Sequence, residues 1–475
     1  MNPLQASASE MARALRARQT TSRALVDAHI ARVVAVNLRI NAMVQFRFDE
    51  ARREADIADE ILRSTPDPDS LPPLHGVPCT LKENFAFRGF PQVSGMVSRR
   101  AAIAQSDAPT VARLRQAGAI VLGFSNTPEL CMWMETHNRV YGRTSNPYDS
   151  SRIAGGSSGG EGALIGAGAS PFGLGADVGG SIRFPAFFNG VFGHKPTPGI
   201  VPNTGQYPEP QGAMNLNCVT GPIARRAEDL WPLMQILSGP DGVDPVCNAG
   251  ALQGDPREVD LRRLRIVAIR DDGRRRVAAD LSAAQLRAAH CLGTRSRGLS
   301  WIQPRALRHA FDIWAALMQE ADPVPFAIQL GDGQRIGTVR ELGRWALRRT
   351  PHTLPALMLA LLESVPLPRT RHLELGRALR AELLEELGDD GVLLYPSYTR
   401  TAPRHNHPLL TPFDFAYCGL FNVLGFPATQ VPLGLNARGL PLGVQVIATP
   451  GGDARTIAVA QQLEREFGGW VMPRT

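Results

Sequence analysis

The chain has 475 residues, 44% hydrophobic and 20% charged, with a formal net charge of +7. These are ordinary globular proportions, long enough for one large domain or two to three small ones, with no repeat and no low-complexity tail. The arginines are spread along the chain, with one short cluster at Arg274, Arg275 and Arg276 and no interleaved aromatic stripe, so no nucleic-acid partner is expected.

Residues 1–19 lack the apolar stretch of a signal peptide, and no run of about 18 apolar residues offers a membrane span. Six cysteines, Cys79, Cys131, Cys218, Cys247, Cys291 and Cys418, lie far apart and form no C-x-x-C. That spacing indicates neither a zinc site nor a disulfide framework and fits a reducing, cytoplasmic setting. Helices are expected over 9–63, opened by a capping box of Ser7 and Glu10. A Pro/Asp-rich loop follows at 65–73, then a short strand at 77–81 that runs into Lys82. Residues 107–118 read as a helix, 119–124 as a buried strand, 158–168 as a helix of small residues and 171–176 as a strand. A strand within 261–269 and an amphipathic helix near 281–292 continue the alternation. The last patterned part, 413–467, holds a small-residue helix, strands at 429–433 and 442–447, and a final helix over 453–466. This pattern argues an α/β fold with helices on both faces of a sheet. No linker divides it, so we expect a single domain with an insertion near 300–400. The most apolar helix-like stretch, 354–365, reads as a buried core helix or as a cap that touches membrane or greasy substrate.

Of the 51 basic residues only Lys82 and Lys195 are lysines. Arginine cannot release its proton in a protein, whereas a buried lysine can, so the two survivors point to sites where Arg will not serve. Between them lies the run AGGSSGGEGALIGAGASPFGLGADVGGSIRFP, from 154 to 185. Its glycines let backbone approach backbone or ligand and expose N–H groups. It is no P-loop, because no Lys follows the glycines. Gly156 to Gly160 match a G-x-S-x-G elbow with Ser158 central, but no strand precedes them and no late histidine base stands out. His405 and His407 read as loop residues. Serine chemistry driven by a lysine base remains.

GGSSGGEGALIGAGASPFGLGADVGGSIRFPAFFNGVFGHKPTPG resembles the amidase signature, LHGVPCTLKENF its lysine segment, and YCGLFNVLGFPATQVPLGLNARGLPLGVQVIA its closing segment. The resemblance covers nearly the whole chain. Within the amidase signature family, GGSSGGEGALIG, GGSIRFP, CMWMETHNRVYGRTSNPYD and EREFGGWVMP are most similar to fatty-acid amide hydrolases of the second vertebrate type, without the N-terminal membrane anchor. The family implies one domain on a central mixed, twisted sheet flanked by helices. Its parts would be a helical segment over 1–70, a catalytic core over 74–245, a variable segment and possible substrate cap over 300–400, and a closing segment over 413–475.

The resemblance also implies a Ser–cis-Ser–Lys triad. Ser181 matches the nucleophile, Ser157 the bridging serine preceded by a cis peptide bond, and Lys82 the base. A serine hydroxyl needs an adjacent base, and lysine can be one only if burial disfavours its charge. Backbone N–H groups of Val178, Gly179, Gly180 and Ser181 would form the oxyanion hole. Ser158 would bond within the triad or cap its helix. Asp177 and Arg183 would brace the nucleophile turn, and Lys195 reads as structural. Many members carry Thr or Ser where this chain has Ala176, so a hydroxyl near the relay would be missing. Cys131, Met132 and Trp133 match the segment facing the reacting carbonyl. With Phe184 they would form an apolar acyl site, whereas Phe187 and Phe188 read as core. The expected partner is a small-molecule amide with a hydrophobic acyl group. The competing readings are a general small or aromatic amidase and the amidase subunit of a glutamyl-tRNA(Gln)-type amidotransferase. The mechanism calls on no metal and no organic cofactor. A homodimer, and peripheral membrane contact through 354–365, stay open.

Overall fold

A computed structural model describes residues 1–248, 250, 252–321, 324–363 and 369–474. Ser7 caps the first helix, Ala8–Arg16, through the expected reciprocal box with Glu10. The helices Ser22–Ile40 and Phe48–Ser64 follow. The expected helical run over 9–63 is broken by strand β1 (Met43–Phe46), which pairs antiparallel with a strand further on.

The other strands are β2 (Pro78–Lys82), β3 (Ile120–Ser125), the short pair β4 (His137–Asn138) and β5 (Gly142–Arg143), β6 (Phe172–Asp177), β7 (Phe192–Lys195) and β8 (Val219–Ala224). β9 (Arg265–Ala268), β10 (Gly298–Trp301), β11 (Gly391–Tyr395), β12 (Ala428–Leu435) and β13 (Pro441–Ile447) complete the set among the described residues. Eleven of them form one sheet in the order β1-β3-β2-β6-β8-β7-β12-β13-β11-β9-β10. β2 is parallel to both β3 and β6, and β9 is parallel to both β10 and β11. The centre, from β6 through β13, is antiparallel. The sheet is therefore mixed. Every residue of β2, β3, β6, β8 and β13 is buried, as expected of strands covered by helices on both faces.

The expected insertion over 300–400 is bracketed by sheet strands. β10 and β11 flank β9, and the chain between them is helical: Ala310–Ala321, Phe326–Gln329, Thr338–Ala346, Leu354–Leu362 and Arg369–Leu387. The apolar helix Leu354–Leu362 buries Ala356, Leu357 and Ala360 against a small cluster with Met96, Leu130 and Phe326. Its Met358 and Leu362 remain exposed, and residues 364–365 of the expected stretch lie outside the described residues. No described helix is long and apolar enough to cross a membrane. The six cysteines are all unpaired.

Candidate active site

Three chain segments converge at the carboxyl ends of β2 and β6. The first is β2, which ends at Lys82, opposite Ser125 of β3. Lys82 is 0% exposed. Its Nζ donates to Ser157 Oγ at 2.8 Å.

Ser157 sits on the turn before the helix Gly159–Gly166, and the Gly156–Ser157 peptide bond is cis. Only glycine fits at 156, because a Cβ there would collide with the Trp133 carbonyl oxygen. Thr127 Oγ1 donates to the Ser157 carbonyl at 3.0 Å and lies 3.2 Å from Cys131 Sγ. Ser157 is thus tied to the 127–133 segment through its own main chain. Ser158 precedes the helix, yet its hydroxyl caps nothing; it makes only a long 3.5 Å contact to the Ala176 carbonyl. Neither role expected for it is seen.

The third segment is the turn between β6 and the short helix Arg183–Phe188. Gly180 turns the chain at φ +111°, and a Cβ on it would strike the Phe184 ring. Ser181 follows, 8% exposed, and its carbonyl accepts from Ser158 N–H at 3.1 Å, placing the two serine segments side by side. Among the described residues the Ser181 hydroxyl has no hydrogen-bond partner, so it is free to meet a ligand. The expected oxyanion set is corrected at one position. The Gly180 N–H donates to Asp177 Oδ1 at 2.6 Å. The N–H groups of Val178, Gly179 and Ser181 keep no protein acceptor among the described residues and are the donors left to a ligand oxygen.

Asp177 and Arg183 hold this turn from below, fully buried. Arg183 Nε and Nη2 donate to the carboxylate at 3.1 and 3.0 Å. Asp177 also accepts from Ile182 N–H and from Asn422 Nδ2, at 3.0 and 2.9 Å. Burial alone would raise the Asp177 pKa, but the Arg183 guanidinium and these donors hold it well below the usual carboxylate range. Arg183 further donates to Asn422 Oδ1, Gln445 Oε1 and the Cys418 carbonyl. Asn422 and Gln445, from the closing segment, are supports that sequence reasoning missed. Each sits among small or apolar residues, and only the contact reveals its role. Lys195, the other lysine, is buried at the end of β7 and donates to the Pro196 carbonyl at 3.0 Å. Burial, with the Arg183 charge, pushes its pKa down to about 7.

The expected acyl-site residues separate. Met132 and Trp133 line a cavity of about 350 Å³ whose wall joins apolar Leu354 and Leu409 to charged Glu129, Glu135, Arg139 and Arg143, and to which Lys82, Ser157 and Ser181 do not contribute. Cys131 is partly exposed on the same segment. Phe184 departs from its expected place. It is 1% exposed, packs within the core against Phe188 and Tyr398 beneath Gly180, and does not line that cavity. Phe187 and Phe188 are core, as expected. A further link was not legible in the sequence. Glu129 accepts from His352 Nδ1 at 2.8 Å and from Thr353 N–H at 2.7 Å, which fastens the helical segment to the cavity loop. His405 bonds Glu135, itself part of the cavity wall, and His407 bonds Arg400.

Comparison with known proteins places this arrangement in context. The family model described as Amidase matches residues 24–457. Fatty-acid amide hydrolase 2 of Homo sapiens is 44% identical over 483 residues, covering 98% of this chain and 89% of its own. Indoleacetamide hydrolase of Bradyrhizobium diazoefficiens is 30% identical over 472 residues, covering 97% of this chain and 86% of its own. The solved structure of 6-aminohexanoate cyclic dimer hydrolase with its substrate matches at a TM-score of 0.79 and 26% identity, covering 98% of this chain and 97% of that one.

Proposed function

The chain belongs to the amidase family, and from that premise we propose that it is a serine amidase acting on carboxylic amides with hydrophobic acyl groups. The observation that carries the reading is the buried 2.8 Å contact of Lys82 Nζ with Ser157 Oγ, on a segment held beside Ser181, whose hydroxyl has no partner among the described residues.

The steps follow from these groups. With Lys82 neutral, the Ser157 proton moves to Nζ while Ser157 Oγ takes the proton of Ser181. Ser181 Oγ forms a bond to the amide carbon, and the carbonyl π pair moves onto oxygen. The Val178, Gly179 and Ser181 N–H groups receive that oxyanion. On collapse the C–N bond breaks, and the amine leaves with the proton returned by Lys82 through Ser157. Water then attacks the acyl-enzyme by the same relay, releasing the acid and restoring Ser181. Ala176 offers no hydroxyl to this relay, and Ser158 does not replace it. Every group these steps use belongs to the chain itself.

The hydrophobic acyl preference is supported by the likeness to fatty-acid amide hydrolase 2 and by Met132, Trp133, Leu354 and Leu409, the apolar part of a cavity wall that also carries charged groups. The likeness to indoleacetamide hydrolase supports the second reading, a general amidase taking small or aromatic acyl groups. In this reading the chain between β10 and β11 is the substrate cap, 74–245 the main part of the catalytic core and 413–475 its closing part. Hydrolysis of primary amides from acetamide to oleamide, with Ser181→Ala as control, separates the two. A rate that climbs with chain length and is lost in the variant supports the first reading. A flat series, or one confined to short or aromatic amides, leaves the second.

A further inference from the structure

Away from these segments, two histidines and an aspartate meet where two helices of the β10–β11 span cross. His309 ends a short 3-10 turn that runs straight into the helix Ala310–Ala321, and Asp312 lies three residues on. That spacing puts both side chains on one helix face. His372 comes from the helix Arg369–Leu387, packed against the first. One ligand atom from each of the three side chains lies within 4.8 Å of the others. His309 Nδ1 and Asp312 Oδ2 are 3.5 Å apart, and the two imidazole rings are 5.9 Å apart between centroids.

Packing alone does not explain the trio. His372 is 8% exposed, and its buried Nδ1 has no hydrogen-bond partner among the described residues. A buried polar nitrogen left unpaired is costly, so something is expected to fill its lone pair or take its proton. The 3.5 Å separation of His309 and Asp312 is long for a charge-assisted hydrogen bond. It is close to the edge of a tetrahedron whose bonds are about 2.0–2.1 Å, roughly 3.3–3.4 Å.

We propose that His309, Asp312 and His372 form a binding site for one divalent transition-metal ion. Two neutral imidazoles and a single carboxylate suit zinc, cobalt or nickel. Magnesium and calcium prefer sites built of oxygen ligands. Ligands from two helices make the ion a clip between them, and bound water completes the coordination. The site takes no part in the serine chemistry and stands whether or not the amidase reading does. The helix that carries Asp312 does touch the nucleophile turn. Trp314, two residues beyond Asp312, donates from Nε1 to the Val178 carbonyl at 3.3 Å.

The test uses full-length protein without a histidine tag, stripped with a chelator and then titrated with Zn²⁺ by calorimetry and with Co²⁺ by visible absorption. The expected result is one ion per chain with a tetrahedral Co²⁺ spectrum. His309→Ala and His372→Ala should each weaken binding by more than the roughly 10–100-fold typical of losing an outer partner. Zn²⁺ should raise the melting temperature of the wild type and not of the variants. His309 is only partly buried, so its variant keeps the test open if His372→Ala fails to fold. Absence of stoichiometric binding at micromolar Zn²⁺, or equal binding by wild type and His309→Ala, overturns the proposal.

Discussion

The β2–β6 region and the helical span between β10 and β11 are held together in different ways. Around Lys82, Ser157 and Ser181 the strands are wholly buried, and polar groups such as Asp177 and Arg183 are bonded several times over. Within the span between β10 and β11, Ala310–Ala321 and Arg369–Leu387 bury Ile313, Leu379 and Leu383 in a large apolar cluster, whereas the part from Phe326 to Leu362 rests on a small one and on a few polar clasps, chief among them Glu129 with His352 and Thr353. Positioned acid–base chemistry requires fixed geometry, whereas a wall that selects acyl groups can be attached more loosely. The contrast teaches that turnover and selectivity should be separable by mutation.

The largest effect should come from the relay. Lys82→Ala and Ser157→Ala are each expected to lower kcat by at least about 10³-fold. Circular dichroism and the melting transition should show a folded protein. Near-normal turnover in either variant would break the division, because the fixed region would then not hold the chemistry.

Next in size is the buried pair beneath the turn. Arg183→Met leaves Asp177 charged and short of its main partner, which should cost about 3–5 kcal/mol of stability. Denaturant unfolding measures this, and a cost under about 1 kcal/mol would mean the turn is less constrained than its hydrogen bonds imply.

Glu161 sharpens the comparison through pH. It is buried and accepts from Thr80 Oγ1 at 2.7 Å, while its Oε1 has no partner among the described residues. Burial pushes its pKa up to about 7 from an ordinary 4.5, against the opposing pull of the Thr80 hydroxyl. A raised carboxyl pKa means that the native state holds a proton the unfolded chain has released. Its stabilising contribution is full below about 4.5 and is lost as pH rises through about 7. Glu161→Gln has no such proton, so between these limits its stability should fall less than the wild type's, by on the order of 3 kcal/mol. Parallel pH–stability curves would remove Glu161 as the source.

The smallest effect belongs to the clasp. His352→Ala should cost about 1 kcal/mol and raise KM for long-chain amides several-fold while kcat for acetamide holds. A fall in kcat for both substrates would show that the helical span takes part in the chemistry.

Legibility divides along similar lines. The residues of the proposed triad stand at motif positions, so Lys82, Ser157 and Ser181 could be named from the chain, and the strands ending at 82 and 177 were close to their observed limits. β1 was missed because four residues between two long helices give too short a pattern to show alternation. β8 carries Pro222, whose missing N–H argues against an interior strand, yet it pairs on both sides. The edges of the 300–400 segment were taken as insertion because β10 and β11 pair with β9 across long stretches of chain. The burial of Phe184, the capture of the Gly180 N–H by Asp177 and the Glu129–His352 clasp are tertiary facts with no local signal.

The most direct test of the central claim is to react the protein with a fluorophosphonate and map the adduct by peptide mass spectrometry. The account predicts one adduct, on Ser181, absent from Ser181→Ala and formed at least about 10²-fold more slowly in Lys82→Ala. An adduct on Ser157 or Ser158, or undiminished labelling of Ser181→Ala, would contradict it.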